Sequence, residues 1–154
     1  MKWTVTLFGL LVFPGWIAAA PSVDAISLAS MARASGSIVL GSKSYYAPAS
    51  GGWGTVKPRM IFNGGDPSGL VSGIRWQHWG QASAIGWGVT AIFKPAGGYY
   101  SKLVRVELRA TDVGRCTAVG PRAYRRLSVR VPDRPGGPLR PWSPWVNGTI
   151  CKSP

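Results

Sequence analysis

One histidine, His78, and five carboxylates are all that this 154-residue chain offers for acid–base work. Glu107 falls between Arg105 and Arg109, where an ion pair on a strand face is its expected use. Asp66 and Asp112 read as turn residues that bond their own backbone. A single histidine excludes a His-x-x-x-His metal pair, no serine sits in Gly-x-Ser-x-Gly, and no glycine loop precedes a helix to cradle phosphate. No catalytic residue, metal ligand or cofactor is therefore expected. What the chain has instead is cation: 18 Lys plus Arg give a net charge of +13. From Ser101 onward, 11 basic residues face three acids (Glu107, Asp112, Asp133), which places +8 of that charge in the last third. Alternation puts Arg105 and Arg109 on one side of a strand and Arg126 and Arg130 on one side of another. Guanidinium forks fit carboxylate and phosphate, so these four arginines are the candidate anion-binding residues.

Two cysteines, Cys116 and Cys151, allow one pairing only. A metal site would need two more soft ligands, so a disulfide is expected. Closing a loop of about 35 residues contributes about 3–4 kcal/mol in the chain-entropy model. An oxidising compartment fits the first segment, where Met1-Lys2 precedes an uncharged apolar run from Trp3 to Ala20. It reads as a signal peptide over residues 1–25, cleaved after Val23-Asp24-Ala25. The competing reading is an uncleaved anchor, which Pro14-Gly15 at its centre disfavours. No later segment is apolar and long enough to span a bilayer.

The elements that must position these residues are strands. With 21 Gly and 13 Pro, the chain shows short apolar runs at 55–62, 71–79, 84–93, 102–111, 124–131 and 145–150. The expected fold is all-β, a small antiparallel sandwich or barrel-like domain over residues 53–154, with a poorly ordered Gly/Ser-containing segment at 26–52. In the third run, Ile85, Trp87, Val89, Ala91 and Phe93 alternate with Gly86, Gly88 and Thr90, and the larger set is expected in the core. Val104, Val106, Leu108 and Ala110 are expected inside the next run, as are Leu127, Val129 and Val131 after it. Pro132, Pro135, Pro138, Pro141 and Pro144 recur every third residue, the period of an extended polyproline II connector. Trp76 shares parity with Ile74 and is expected inside, while Trp79, ahead of Gly80, is the aromatic surface candidate. Asn147-Gly148-Thr149 fits the glycosylation tripeptide, a frequent chance match, and no glycan is expected.

One stretch carries a resemblance: Gly65-Asp66, then Ile74-x-Trp76-x-x-Trp79-Gly80-x-x-x-Ala84, then the Gly86 and Gly88 strand. With Gly114-Arg115-Cys116 and Tyr124-Arg125-Arg126-Leu127, it resembles a group of small secreted actinobacterial proteins of unknown function, over about Pro58 to Val131. Pro67 stands where that group usually has Gly, Ile74 stands for Leu, and a cysteine pair after the Gly-rich strand is missing. The resemblance implies export, an all-β domain and structural roles for the two tryptophans, and it supplies no catalytic residue.

Together these features point to a secreted, non-catalytic protein whose arginines contact an anionic cell-envelope polymer or lipid headgroups. A cationic membrane-active or toxin-like protein is the alternative, and a small extracellular hydrolase comes third. A nucleic-acid partner is disfavoured because no reader motif is present. The sequence leaves the oligomeric state open.

Overall fold

The computed structural model describes residues 37–152. Of the two units into which the chain divides, Met1–Ser35 and Gly36–Pro154, these belong to the second. The expected signal peptide and its cleavage point lie outside the described residues.

Seven strands form one sheet: β1 (Val39–Leu40), β2 (Met60–Phe62), β3 (Leu70–Gln77), β4 (Ala84–Thr90), β5 (Val104–Arg115), β6 (Arg122–Arg130) and β7 (Ser143–Pro144). Their order is β1-β6-β5-β4-β3-β2, with β7 also paired to β6. The β1–β6 pair is parallel and every other pair is antiparallel. Both ends of this order meet the same segment. The Leu40 N–H donates to Thr55 O at 3.0 Å and the Gly54 N–H to Leu40 O at 2.7 Å, while Gly51 and Phe62 exchange bonds of 3.0 and 2.9 Å. The sheet is thereby curled, with its edge groups occupied. An all-β domain with one disulfide is what the residue pattern implied, in curled single-sheet form.

β5 and β6 follow the expected alternation. Val104, Val106, Leu108, Ala110 and Leu127 are buried, and Val129 and Val131 pack against them. β4 reverses it. Ala84, Gly86, Gly88 and Thr90 face the core, whereas Ile85 and Trp87 are half-buried and Val89 is 36% exposed on the outer side; Phe93 is exposed too, and only Ala91 of the expected set is buried. The cause is volume. A Cβ on Gly86 would lie 2.9 Å from the Trp76 ring and 3.1 Å from Ile74 Cγ2, and one on Gly88 would lie 2.7 Å from Val71 Cγ1. The glycines are the space that β3 side chains fill, because a close-packed core has room for one set only.

Three other expectations are corrected. The domain starts well before Trp53: Ile38, Val39, Leu40 and Tyr45 are buried, and Tyr45 packs edge-on against Trp53 at 4.6 Å. The polar look of residues 41–52 hides one large aromatic anchor. The proline-rich stretch is not a straight connector but a hairpin, bridged at Pro132 and Leu139, with the Gly137 N–H donating to Arg134 O at 3.0 Å. Gly136, at φ +78°, supplies the backbone conformation this turn requires. Beyond it the strand is the short Ser143–Pro144 rather than 145–150, yet the Trp145 and Ile150 N–H groups still donate to Leu127 O and Arg125 O of β6, each at 2.8 Å.

That C-terminal strap is pinned by the Cys116–Cys151 disulfide, whose Cα atoms lie 5.1 Å apart, and Ile150 beside it is fully buried. Near it on β6 Tyr124 is also fully buried; its hydroxyl donates to Gln81 O at 2.8 Å and accepts from the Gly80 N–H at 2.9 Å. Burial raises the pKa of this phenol, against the opposing pull of the Gly80 hydrogen bond and the Arg122 charge.

Gly88 tests the reversed pleat. Its backbone angle is one any residue adopts, so Gly88→Ala acts through the Cβ alone, which would meet Val71 and the Ser72 carbonyl oxygen at 2.7 and 2.8 Å. Overpacking of this kind should cost about 1–3 kcal/mol in chemical denaturation. Gly69→Ala, whose Cβ meets only Asn63 at 3.5 Å, should stay within about 0.5 kcal/mol of the parent.

Candidate anion-binding face

Reversing β4 turns its large side chains outward, onto the side of the sheet where β5 carries its arginines. The strand register then defines a rung across four strands: Arg75 of β3 opposite Trp87 of β4, Trp87 opposite Glu107 of β5, and Glu107 opposite Arg130 of β6. Arg105 lies one rung to one side, opposite Val89. Arg109, opposite Ser128, lies one rung to the other, and the Thr111–Arg126 pair follows it.

Glu107 is the polar centre. Its Oε1 accepts the Trp87 indole N–H at 3.0 Å, and its Oε2 accepts Arg130 Nε at 2.7 Å and lies 2.5 Å from Nη2. The strap after the proline hairpin adds Trp142 above this rung, with the guanidinium carbons of Arg109 and Arg130 at 4.7 and 4.9 Å from its ring centroid. The ring quadrupole attracts both guanidiniums, and the Glu107 carboxylate holds that of Arg130.

The four arginines singled out from the sequence share this face, on adjacent strands, but their environments differ. Arg130 is spoken for by Glu107, and Arg126 lies 3.6 Å from Asp112 Oδ2, beside the tighter 2.6 Å Arg125–Asp112 pair. Asp112 is not in a turn as expected: it lies within β5 at φ +60°, where the alternation of both strands breaks. Arg109 stacks on Trp142 and has no carboxylate partner among the described residues. Arg105, and Arg75 across Trp87 from it, have no carboxylate partner among the described residues.

Arg75, Trp87 and Trp142 are the members the sequence reading passed over. Arg75 was readable from Ile74 and Trp76, since the residue between two inward side chains points out. Trp87 was hidden by the assumption that larger side chains go inside. Trp142 arrives through the hairpin, which no local pattern announces. Trp79, the expected surface aromatic, is instead packed: its N–H donates to Ile38 O at 2.9 Å and its ring meets Trp76 and Tyr124 edge-on at 4.9 and 5.0 Å. Trp76 is half-buried over Gly86, its N–H donating to Pro58 O. His78 sits exposed in the turn after β3, at φ +55°.

Among the described residues no three His, Cys, Asp or Glu side chains converge into a metal-binding group, and Glu107, Asp112 and Asp133 are each ion-paired to arginine. No protein-family model, curated protein or solved structure matches the chain. The functional reading therefore rests on this geometry.

Glu107→Gln separates the two roles of the central carboxylate. Loss of its charge-assisted bonds should lower stability by about 1–2 kcal/mol in denaturant titration. Freeing Arg130 should at the same time raise the salt concentration that elutes the protein from a sulfated polysaccharide resin.

Proposed function

We propose that this protein is an exported, non-catalytic binding domain whose outer β3–β6 face contacts an anionic polymer of the cell envelope or extracellular space. The observation that carries the reading is the gathering of Arg75, Arg105, Arg109, Arg126 and Arg130 on one side of four adjacent strands, with Trp87 and Trp142 among them. Clustering matters because the Debye length at physiological ionic strength is about 8 Å, so only neighbouring charges act together on one polymer. Export is supported by the basic start and apolar run of the first 20 residues and by a disulfide that suits an oxidising compartment.

A polymer fits this face better than a bilayer. Both indoles are half-buried, Trp87 tied by its N–H to Glu107 and Trp142 covered by guanidinium, so neither projects as a wedge. The membrane-active alternative draws on a different place, the β4–β5 hairpin tip, where Phe93 is 54% and Leu103 52% exposed beside Lys94 and Lys102.

Two triple variants decide between them. Replacing Arg75, Arg105 and Arg109 with Gln should weaken binding to dextran sulfate at least tenfold and flatten its salt dependence. Replacing Lys94, Lys102 and Arg134 with Gln removes equal charge and should cost less than threefold. Equal losses would show the charge to be diffuse and overturn the face. Binding to anionic phosphatidylglycerol vesicles that only the second triple abolishes, with no polymer binding in the parent, would replace this reading with membrane action.

A further inference from the structure

The face contains a depression of about 280 Å³ lined by Arg75, Trp87 and Arg105, with Ser72, Gly73 and Val89 completing the part that faces outward. Its origin is a defect in β3. Ser72 pairs with Val89 and Arg75 with Trp87, so one extra residue is accommodated between the two rungs. Without that bulge, side chains three residues apart would point to opposite faces; with it, both Ser72 and Arg75 turn outward. Gly73 makes the bulge possible by adopting φ +65°, and a Cβ there would meet nothing within 4 Å, so backbone conformation rather than space calls for glycine.

The bulge thus sets Arg75 against Trp87 on one side while Arg105 comes from β5 on the other. Neither guanidinium has a carboxylate partner among the described residues, in contrast to Arg125, Arg126, Arg130 and Arg140. Between them the lining is apolar, from Trp87 and Val89, and the indole N–H is already used by Glu107. A bare phosphate or sulfate would satisfy the arginines and leave the indole unused. The depression is open to solvent, and its volume, near the lower end of ligand pockets at about 300 Å³, gives room for one sugar ring to lie against the indole.

We propose that this depression seats one anionic sugar unit, its carboxylate or phosphate held between Arg75 and Arg105 and its ring against Trp87. The inference rests on the reading of the face as a polymer-binding surface and names the unit that surface selects. Trp87 and the two arginines contact the sugar; Glu107 is a positioning residue, fixing the indole through its N–H.

The test is an NMR titration of the purified protein that follows the Trp87 indole N–H with glucuronic acid, glucose 6-phosphate, glucose, inorganic phosphate and AMP. The two anionic sugars should bind saturably, with glucose and inorganic phosphate at least fivefold weaker. Arg75→Gln and Arg105→Gln, exposed changes that leave the fold in place, should each weaken glucuronic acid at least fivefold, and Arg126→Gln less than twofold. Inorganic phosphate binding as tightly as glucuronic acid, AMP binding more tightly, or an equal effect of Arg126→Gln would overturn the proposal. Dextran sulfate retention of the same proteins separates the two levels. If neither anionic sugar binds but the Arg75, Arg105 and Arg109 triple still loses the polymer, the sugar subsite is wrong and the face stands. If that triple keeps the polymer as well as its charge-matched control, the face itself is wrong.

Discussion

The structure depends on a steric exchange between two neighbouring strands. β3 sends Val71, Ile74 and the Trp76 ring toward the core, and β4 makes room for them with Gly86 and Gly88, where even a methyl group would come within 3 Å of its neighbours. Once those positions face inward, a strand's strict alternation sends Ile85, Trp87 and Val89 outward. One packing constraint therefore fills the core and also places an indole amid the arginines of β3 and β5. The core and the candidate site are two sides of the same pleat.

Around this pair the remaining indoles act as ties between segments distant in sequence. The N–H groups of Trp53, Trp76, Trp79 and Trp145 donate to Phe62 O, Pro58 O, Ile38 O and Asn63 Oδ1, and the Tyr124 hydroxyl bridges the turn at Gly80 and Gln81. Each ring buries apolar area while its one polar group satisfies a backbone or amide oxygen, which a phenylalanine could not do. These bonds fasten the irregular stretches at 52–59 and 78–81 to a sheet whose own ladder does not reach them. The disulfide does the same for the C-terminal strap, and the strap in turn delivers Trp142 to the outer face.

β5 could be read from its residues because large apolar and charged side chains alternate there, so hydrophobicity and volume give the same answer. They conflict in β4: hydrophobicity puts Trp87 inside, whereas volume reserves the inside for its glycine neighbours, and only knowledge of the partner strand decides. The same holds for Gly73, whose bulge is invisible until β3 is paired. Proline spacing misled for a different reason, since period three describes an extended chain only if nothing turns it, and Gly136-Gly137 does. The arginine side of β5 and β6 was legible, but which guanidiniums are left unpaired was not, because Asp112 reaches its partners only through a strand conformation that a turn reading excludes.

The central claim is that the outward face of β4, with Trp87 between Arg75 and Arg105, is the surface that meets an anionic polymer. Hydroxyl-radical footprinting of the protein with and without dextran sulfate, read residue by residue by mass spectrometry, addresses it most directly. The account predicts that polymer lowers oxidation of Trp87 and Trp142 at least threefold and leaves Trp53, Trp79, Phe93 and Val119 unchanged. Protection centred on Phe93 or Val119, with Trp87 and Trp142 unaffected, would contradict it.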